Sequence, residues 1–253
     1  MGEAAKVTNS TTSPTPTQNS TGKFDYQYVI NRAREVLFDP VNCWTAIKSE
    51  NTTIKDIYFR YAGPLALIPA VFGFIGSTFI GISVPLLGKW TTGFFEGIIF
   101  YAVMFAGMLL GLRITALIVE KLAPKFEGSC TPLDSFKLVA FSYTASFIGG
   151  IFSILPGVTI SAILGIVLSL YSLYAFYQGI PTMTNVHGDK RRGFAVISVV
   201  LAIVVNFLLM LVISTVVGFS SPSQSSVPQG NIDIKQLEKS IQNLERLIPQ
   251  GSQ

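Results

Sequence analysis

"LVAFSYTASFIGGIFSILPGVTISAILGIVLSLYSLYAFY", residues 138–177, runs for forty positions without a charged side chain. One bilayer crossing takes about 20 apolar residues, because a helix rises about 1.5 Å per residue across a hydrocarbon core of about 30 Å. The stretch is therefore about twice too long for a single crossing. Leu155, Pro156 and Gly157 stand near its midpoint, where proline and glycine give the poorest helix propensity. It reads as two spans, about 135–155 and 158–178, joined by a tight turn.

Three further apolar runs flank this hairpin, at about 62–86, 94–118 and 193–217. Of the 253 residues 49 % are hydrophobic and 13 % charged, where a soluble domain carries roughly a quarter charged. The expected fold is all-α: a polytopic helical membrane protein with five transmembrane helices. Residues 1–23 contain no apolar segment of the kind a cleavable signal needs, so the first span is expected to serve as its own insertion signal.

Lysine and arginine near span ends set orientation. Lys48, Lys55 and Arg60 precede the first span, Lys121, Lys125 and Lys137 lie between or just inside the second and third, and Lys190, Arg191 and Arg192 precede the fifth. The opposite side offers Lys89 alone. This asymmetry predicts a cytoplasmic N-terminus and an extracytoplasmic C-terminus, with Lys121, Lys125, Lys190, Arg191 and Arg192 as topology anchors. The net charge of +4 is then a matter of membrane orientation, and the basic residues form no aromatic-interleaved patch for nucleic acid.

Residues 1–23, rich in Ser, Thr, Asn and Pro, are expected to be a disordered tail. From residue 24 to 60 the pattern is helical: Val29, Ala33, Val36 and Leu37 share a stripe, and Asp39-Pro40 offers a cap and first-turn proline for a second helix bearing Trp44 and Ile47. Thr53 and Asp56 have the spacing of a capping box for a third short helix. These amphipathic helices either lie on the cytoplasmic surface or pack on the ends of the spans, two arrangements that are compatible. The membrane domain covers 61–218, and 219–253 form a linker and a short amphipathic helix with Leu237, Ile241, Leu244 and Ile248 on one seam.

Catalytic signatures do not emerge. His187, the chain's one histidine, stands in a glycine-flanked loop, and Cys43 and Cys130 fall in connecting segments about ninety residues apart, which predicts no disulfide framework, metal site or cofactor. Glu96 and Arg113 share one helix but stand seventeen positions apart, about 25 Å along its axis, and each can snorkel to a membrane face. Asn206 alone is deep, a residue that bridges helices more often than it binds cargo. Packing signals are richer: Gly73, Ser77 and Gly81 form a small-residue stripe, Gly107 and Gly111 a Gly-x-x-x-Gly. They serve contacts within one chain or in a homo-oligomer. Tyr171, Tyr174 and Tyr177 form a tyrosine-rich end to the fourth span.

"VLFDPVNCWTAI" (36–47), "YAGPLALIPAVFGFIGS" (61–77), "LVAFSYTASFIGGIFSILPG" (138–157) and "LYSLYAFYQGIPTMTNVHGDKRRGFAVISVVLAIVV" (170–205), in that order and spacing, resemble the successive blocks of the Yip (Ypt-interacting protein) domain family in its prokaryotic form. The resemblance implies five spans, a cytoplasmic N-terminus, a prokaryotic cell membrane and no catalytic residues; eukaryotic relatives are associated with Rab-type GTPases and vesicle traffic. "RYAGPL" (60–65) is similar to the Asp-Leu-Tyr-Gly-Pro element of the eukaryotic branch but lacks its acidic residue, and Ala145 stands where prokaryotic members often have proline. The third helix is accordingly expected to be straighter than in relatives.

The expected function is that of a non-enzymatic multi-pass membrane scaffold that meets a protein partner through residues 24–60 and 181–192. The alternative is a small-solute, ion or lipid transporter whose cavity is lined by Asn206, Gln178 and the Thr/Ser residues of "SYTAS", Ser142, Thr144 and Ser146.

Overall fold

The computed structural model describes residues 26–84, 88–155 and 157–216; the expected tail and the C-terminal seam helix lie outside them. Among the described residues five helices are long and apolar enough to cross a membrane: Ile54–Ile80, Phe94–Phe126, Pro132–Ile154, Val158–Thr184 and Lys190–Thr215. They match the five expected spans. Two shorter helices, α1 (Tyr26–Phe38) and α2 (Cys43–Ser49), precede them. A small antiparallel hairpin, β1 (Ile82–Val84) with β2 (Gly88–Trp90), links the first two spans. The apolar run predicts a first span continuing through this region to residue 86. It stops earlier because Gly81 adopts φ 80°, a conformation open to glycine but not to a continuing helix of L-residues.

The first span is α3 (Ile54–Ile57), a π turn (Tyr58–Ala62), α4 (Gly63–Ile75) and a second π turn (Gly76–Ile80). The Thr53–Asp56 capping box forms, with Asp56 N donating to Thr53 Oγ1 at 3.2 Å and Thr53 N to Asp56 Oδ2 at 3.1 Å. It opens the span itself and not a separate surface helix. Pro64 stands in the first turn of α4, and within a continuous helix its ring would crowd the carbonyl four residues back. The π turn supplies the room: Gly63 N–H reaches back to Tyr58 O, and the widened turn absorbs the proline.

The second span is α5 (Phe94–Leu122) with a closing 3-10 turn (Ala123–Phe126). The third is α6 (Pro132–Ser142), α7 (Thr144–Gly149) and a 3-10 turn (Gly150–Ile154). Thr131 caps it by accepting from Asp134 N at 3.1 Å, and Pro132 takes the first helical position. Despite Ala145 the span is interrupted, at Tyr143. Ser142 Oγ donates to Leu138 O and Thr144 Oγ1 to Phe141 O, each at 2.6 Å, and hydroxyls that bond back to helix carbonyls bend helices without any proline. Leu155 is extended and Gly157 caps the fourth span, α8 (Val158–Thr184), so the hairpin turn falls at the expected place. The fifth span is α9 (Lys190–Val216).

The third span is the axis of the bundle. Every residue from Ser135 to Ser142 is buried, with α5 on one side, α8 on the other and α4 against α7. The fifth span packs mainly on α5, where an added Cβ at Gly107 would stand 2.5 Å from Ile213 Cδ1 and one at Gly111 3.2 Å from Asn206 Oδ1. The Gly-x-x-x-Gly thus meets a helix of the same chain. In the first span Gly73 lies under the Tyr101 ring and Ser77 is buried, donating to Phe74 O at 3.3 Å. Gly81 ends the span and does not extend the stripe; Gly76 fills that role against the Ser153 carbonyl.

Candidate functional site

Two features of the bundle are built from polar side chains: a cap of short helices on its basic end, and a cleft between the outer spans.

The cap starts from apolar residues. Trp44, 0 % exposed, lies over Gly179 of α8, where a Cβ would come 2.6 Å from its ring, and Ile47 and Ile57 are equally buried. α2 begins at Cys43, later than Asp39-Pro40 suggested, because Asp39 turns its carboxylate to Asn42 Nδ2 at 2.9 Å and holds 40–42 in a turn. That shift buries Cys43, which the sequence placed in a polar connection. Its thiol is pushed up to about 12 by burial, with Asp39 and Glu35 adding to the effect.

Charges inside the cap are paired. Arg32, 6 % exposed, donates to Glu50 Oε2 at 3.0 Å and to Glu35, and stands 5.8 Å from the Tyr28 ring centre. Burial and the neighbouring Glu50 carboxylate push the Tyr28 phenol above its usual range. Lys137, 1 % exposed, donates to Glu50 O at 2.7 Å and Lys48 O at 3.3 Å, so it ties the α2–α3 turn to the third span and is no free topology anchor. Lys48 reaches Thr182 O, Tyr171 donates to Leu37 O at 2.6 Å, and Tyr61 shares a 2.6 Å hydrogen bond with Thr144. Of the two compatible arrangements foreseen for this segment, packing on the spans is what these contacts describe.

The connecting loops at this end are fixed too. Asn185 (φ 53°) donates to Ser129 Oγ at 2.9 Å, Val186 is buried beside Gly128, and Gly188 turns at φ 64°. His187 is exposed, in contact with Asn185 O at 2.9 Å. Arg191 lies 3.8 Å over the Tyr177 ring, donates to Tyr177 O at 2.6 Å and to Gln178 Oε1 at 3.0 Å. That contact takes Gln178 out of the cavity the sequence assigned to it. Lys190 pairs with Glu127 and Lys121 with Glu120, at 3.7 Å in the second case, while Lys125 and Arg192 are exposed. Glu96 is exposed at the far end of the second span, and Arg113 Nη1 is buried without a hydrogen-bond partner.

The cleft, of about 630 Å³, lies between the third, fourth and fifth spans and reaches Thr115 of the second. Asn206, Ser142 and Ser146 line it, as the transporter alternative expects, together with Tyr143, Ser172 and Ser198, which the sequence does not single out; Thr144, expected there too, bonds to Tyr61 and Phe141 O instead. Ser146 donates to Ser172 Oγ at 2.8 Å and Asn206 Nδ2 to Ala202 O at 2.8 Å. Ser172 and Ser198 gave no signal because isolated serines in apolar helices are common; only the packing brings them to one wall.

The family model of the Yip1 domain matches residues 34–221. The chain belongs to the Yip1 family. It is 30 % identical over 175 residues to the inner membrane protein YohC of Escherichia coli strain K12, across 68 % of this chain and 87 % of that protein. YohC of E. coli strain O6:H1 gives the same identity and coverage. No solved structure matches. As a Yip1 member with five spanning helices the chain is a multi-pass membrane protein, in accord with the cell-membrane location expected from its sequence.

Proposed function

We propose that this Yip1 protein is a non-enzymatic membrane scaffold whose basic, cytoplasm-facing end recruits a protein partner through residues 24–60 and 181–192. The observation that carries this reading is the division of labour within the cap. Its inner face is anchored by Trp44, Arg32 and Lys137, while Tyr26, Ile30, Phe38 and Phe59 stand exposed on the outside. A segment held this firmly presents those side chains in a fixed arrangement, so a partner loses little to ordering on binding. The exposed side chains lie beside Arg34, Glu35 and Asp39, so apolar anchors come with a polar rim.

The test is photo-crosslinking in intact membranes from positions 34, 59 and 187 of the tagged protein at native level. One heterologous protein recovered from these sites, and lost from the membrane on deletion of the gene, is the expected result. Recovery of no partner, with every membrane protein's level unchanged on deletion, would sink the scaffold reading.

The cleft favours a second reading, a transporter with Asn206 at its lining. Asn206→Leu separates the two: flux in reconstituted vesicles falls if a substrate passes that depth and is unchanged if the bundle serves recruitment.

A further inference from the structure

The cleft contains polar groups that the protein itself leaves unsatisfied. Ser198, 1 % exposed, lines it, and its Oγ has no hydrogen-bond partner. Thr115, 4 % exposed, lies on the same lining; its Oγ1 makes no bond of proper geometry, although the Tyr143 phenol approaches both it and Asn206. A buried hydroxyl without a partner is costly in an apolar medium. Two of them facing one cavity point to an occupant that supplies hydrogen bonds.

The lining also limits what that occupant is. It includes no acidic or basic side chain, so the recognised group is neutral, since a charge there would be unpaired. The mouth is formed by Ile166, Leu170, Ile203 and Phe207, all strongly exposed on membrane-spanning helices. It opens sideways to acyl chains. Water could fill a space of this size with about twenty molecules at ~30 Å³ each, but an apolar lateral mouth admits an amphipathic molecule more readily. Depth gives the remaining constraint. Lys190, Arg191 and Arg192 set the headgroup level at the start of the fifth span, and Ser198 lies about 10 Å below Arg191 along the helix. Since the headgroup region adds only about 5–8 Å on each side of the hydrocarbon core, that is where glycerol esters give way to chains.

We propose that this cleft binds the glycerol-ester region of a membrane lipid, with Ser198 and Thr115 as its hydrogen-bond partners and one acyl chain lying between the fourth and fifth spans. The ester carbonyls accept from the two hydroxyls, while Asn206, about 12 Å deeper on the same helix and bonded to Ala202 O, lies at the level of the chains. The site rests on the cleft and not on partner recruitment. It stands whether or not the lipid is moved across the membrane.

The test uses the full chain in nanodiscs of phosphatidylethanolamine and phosphatidylglycerol, doped with a phosphatidylcholine that carries a diazirine on one acyl chain. Labelled peptides are mapped after irradiation. Labelling concentrated on 139–146 and 198–207 is expected, with Ser169→Trp at the exposed mouth reducing it at least fivefold while labelling of the first span is unchanged. Ser198→Ala combined with Thr115→Val removes two hydroxyls with little change in shape and should reduce cleft labelling about fivefold. A diazirine diacylglycerol should label the same peptides, because it shares the esters; labelling by the phospholipid alone would overturn the ester assignment. Even labelling of all outward-facing helix surfaces, or labelling indifferent to Ser169→Trp, would show ordinary boundary lipid and overturn the site. So would a Ser169→Cys variant that forms a stoichiometric disulfide dimer with the cleft unlabelled, since a second copy would then be its cover. If Asn206→Leu leaves flux unchanged while labelling persists, the transporter reading falls and the site remains.

Discussion

The third and fifth spans of this bundle are opposites. The third is the most buried of the five and the least apolar; the fifth is the most apolar and the least buried. In water the more apolar helix would be the inner one, but in a bilayer the lipid tails are as apolar as leucine and give no hydrophobic reason to bury it. Inside the bundle the third span can carry Lys137 and Thr144, whose partners neighbouring elements supply, and Ser142, which bonds back to its own helix. The fifth must offer lipid an unbroken apolar face, and its fit to α5 depends on Gly107 and Gly111. Hydropathy in such a chain reports contact with lipid. Polar content reports the centre of the structure.

If that contrast is right, damage near the third span should be severe and damage on the fifth slight. The largest expected effect is kinetic. With its thiol at about 12 against an ordinary 9, Cys43 should react with a thiolate-selective reagent at pH 8 about a thousandfold more slowly in the folded protein than after unfolding. The same shift means that the native state holds the thiol proton more tightly than the unfolded chain. Its contribution to stability is therefore complete below about pH 9 and declines as pH rises through 9 toward 12. Equal alkylation rates before and after unfolding would show that the cap is open.

Trp44→Ala comes next. It empties the space over Gly179 and should cost about 3–5 kcal/mol, read as a lower midpoint in thermal unfolding and as protease cleavage between residues 38 and 53 while the spans stay intact. Lys137→Met keeps the volume but leaves the Glu50 and Lys48 carbonyls unsatisfied, a loss of about 1.5–3 kcal/mol for hydrogen bonds from a charged donor. Accelerated hydrogen exchange over 43–53 would register it. On the fifth span, Gly107→Leu should cost about 1–3 kcal/mol, because the side chain it meets is the movable tip of Ile213. Ile203→Val, at a position 63 % exposed, should change stability by less than about 0.5 kcal/mol. A fifth-span variant that unfolds the protein as Trp44→Ala does would break the comparison.

The same contrast explains which parts were legible in the sequence. Spans were, because length and apolarity are requirements imposed residue by residue; the forty-residue run had to contain a turn, and Leu155 and Gly157 mark it. The Thr53–Asp56 capping box was legible as a local motif, but its place at the start of the first span depended on how Pro64 would be accommodated, and a π turn has no sequence signature. The partners of Lys137 and Gln178 were illegible for a related reason. A basic or amide side chain near a span end looks alike whether it meets water or a carbonyl 87 residues away. The cleft was half visible: Asn206, Ser142 and Ser146 were legible, whereas Ser172 and Ser198, and the turning away of Thr144, required knowing which faces of the spans turn inward.

The burial of Lys137 has a consequence for how the protein is made. A ribosome delivers the N-terminal segment first, so α1, α2 and the carbonyls of Lys48 and Glu50 are synthesised before the third span that needs them. A nascent helix carrying a lysine enters a bilayer at a penalty of a few kcal/mol. Here the acceptors that offset that penalty are already waiting at the membrane surface, and the order of the chain is also a workable order of assembly.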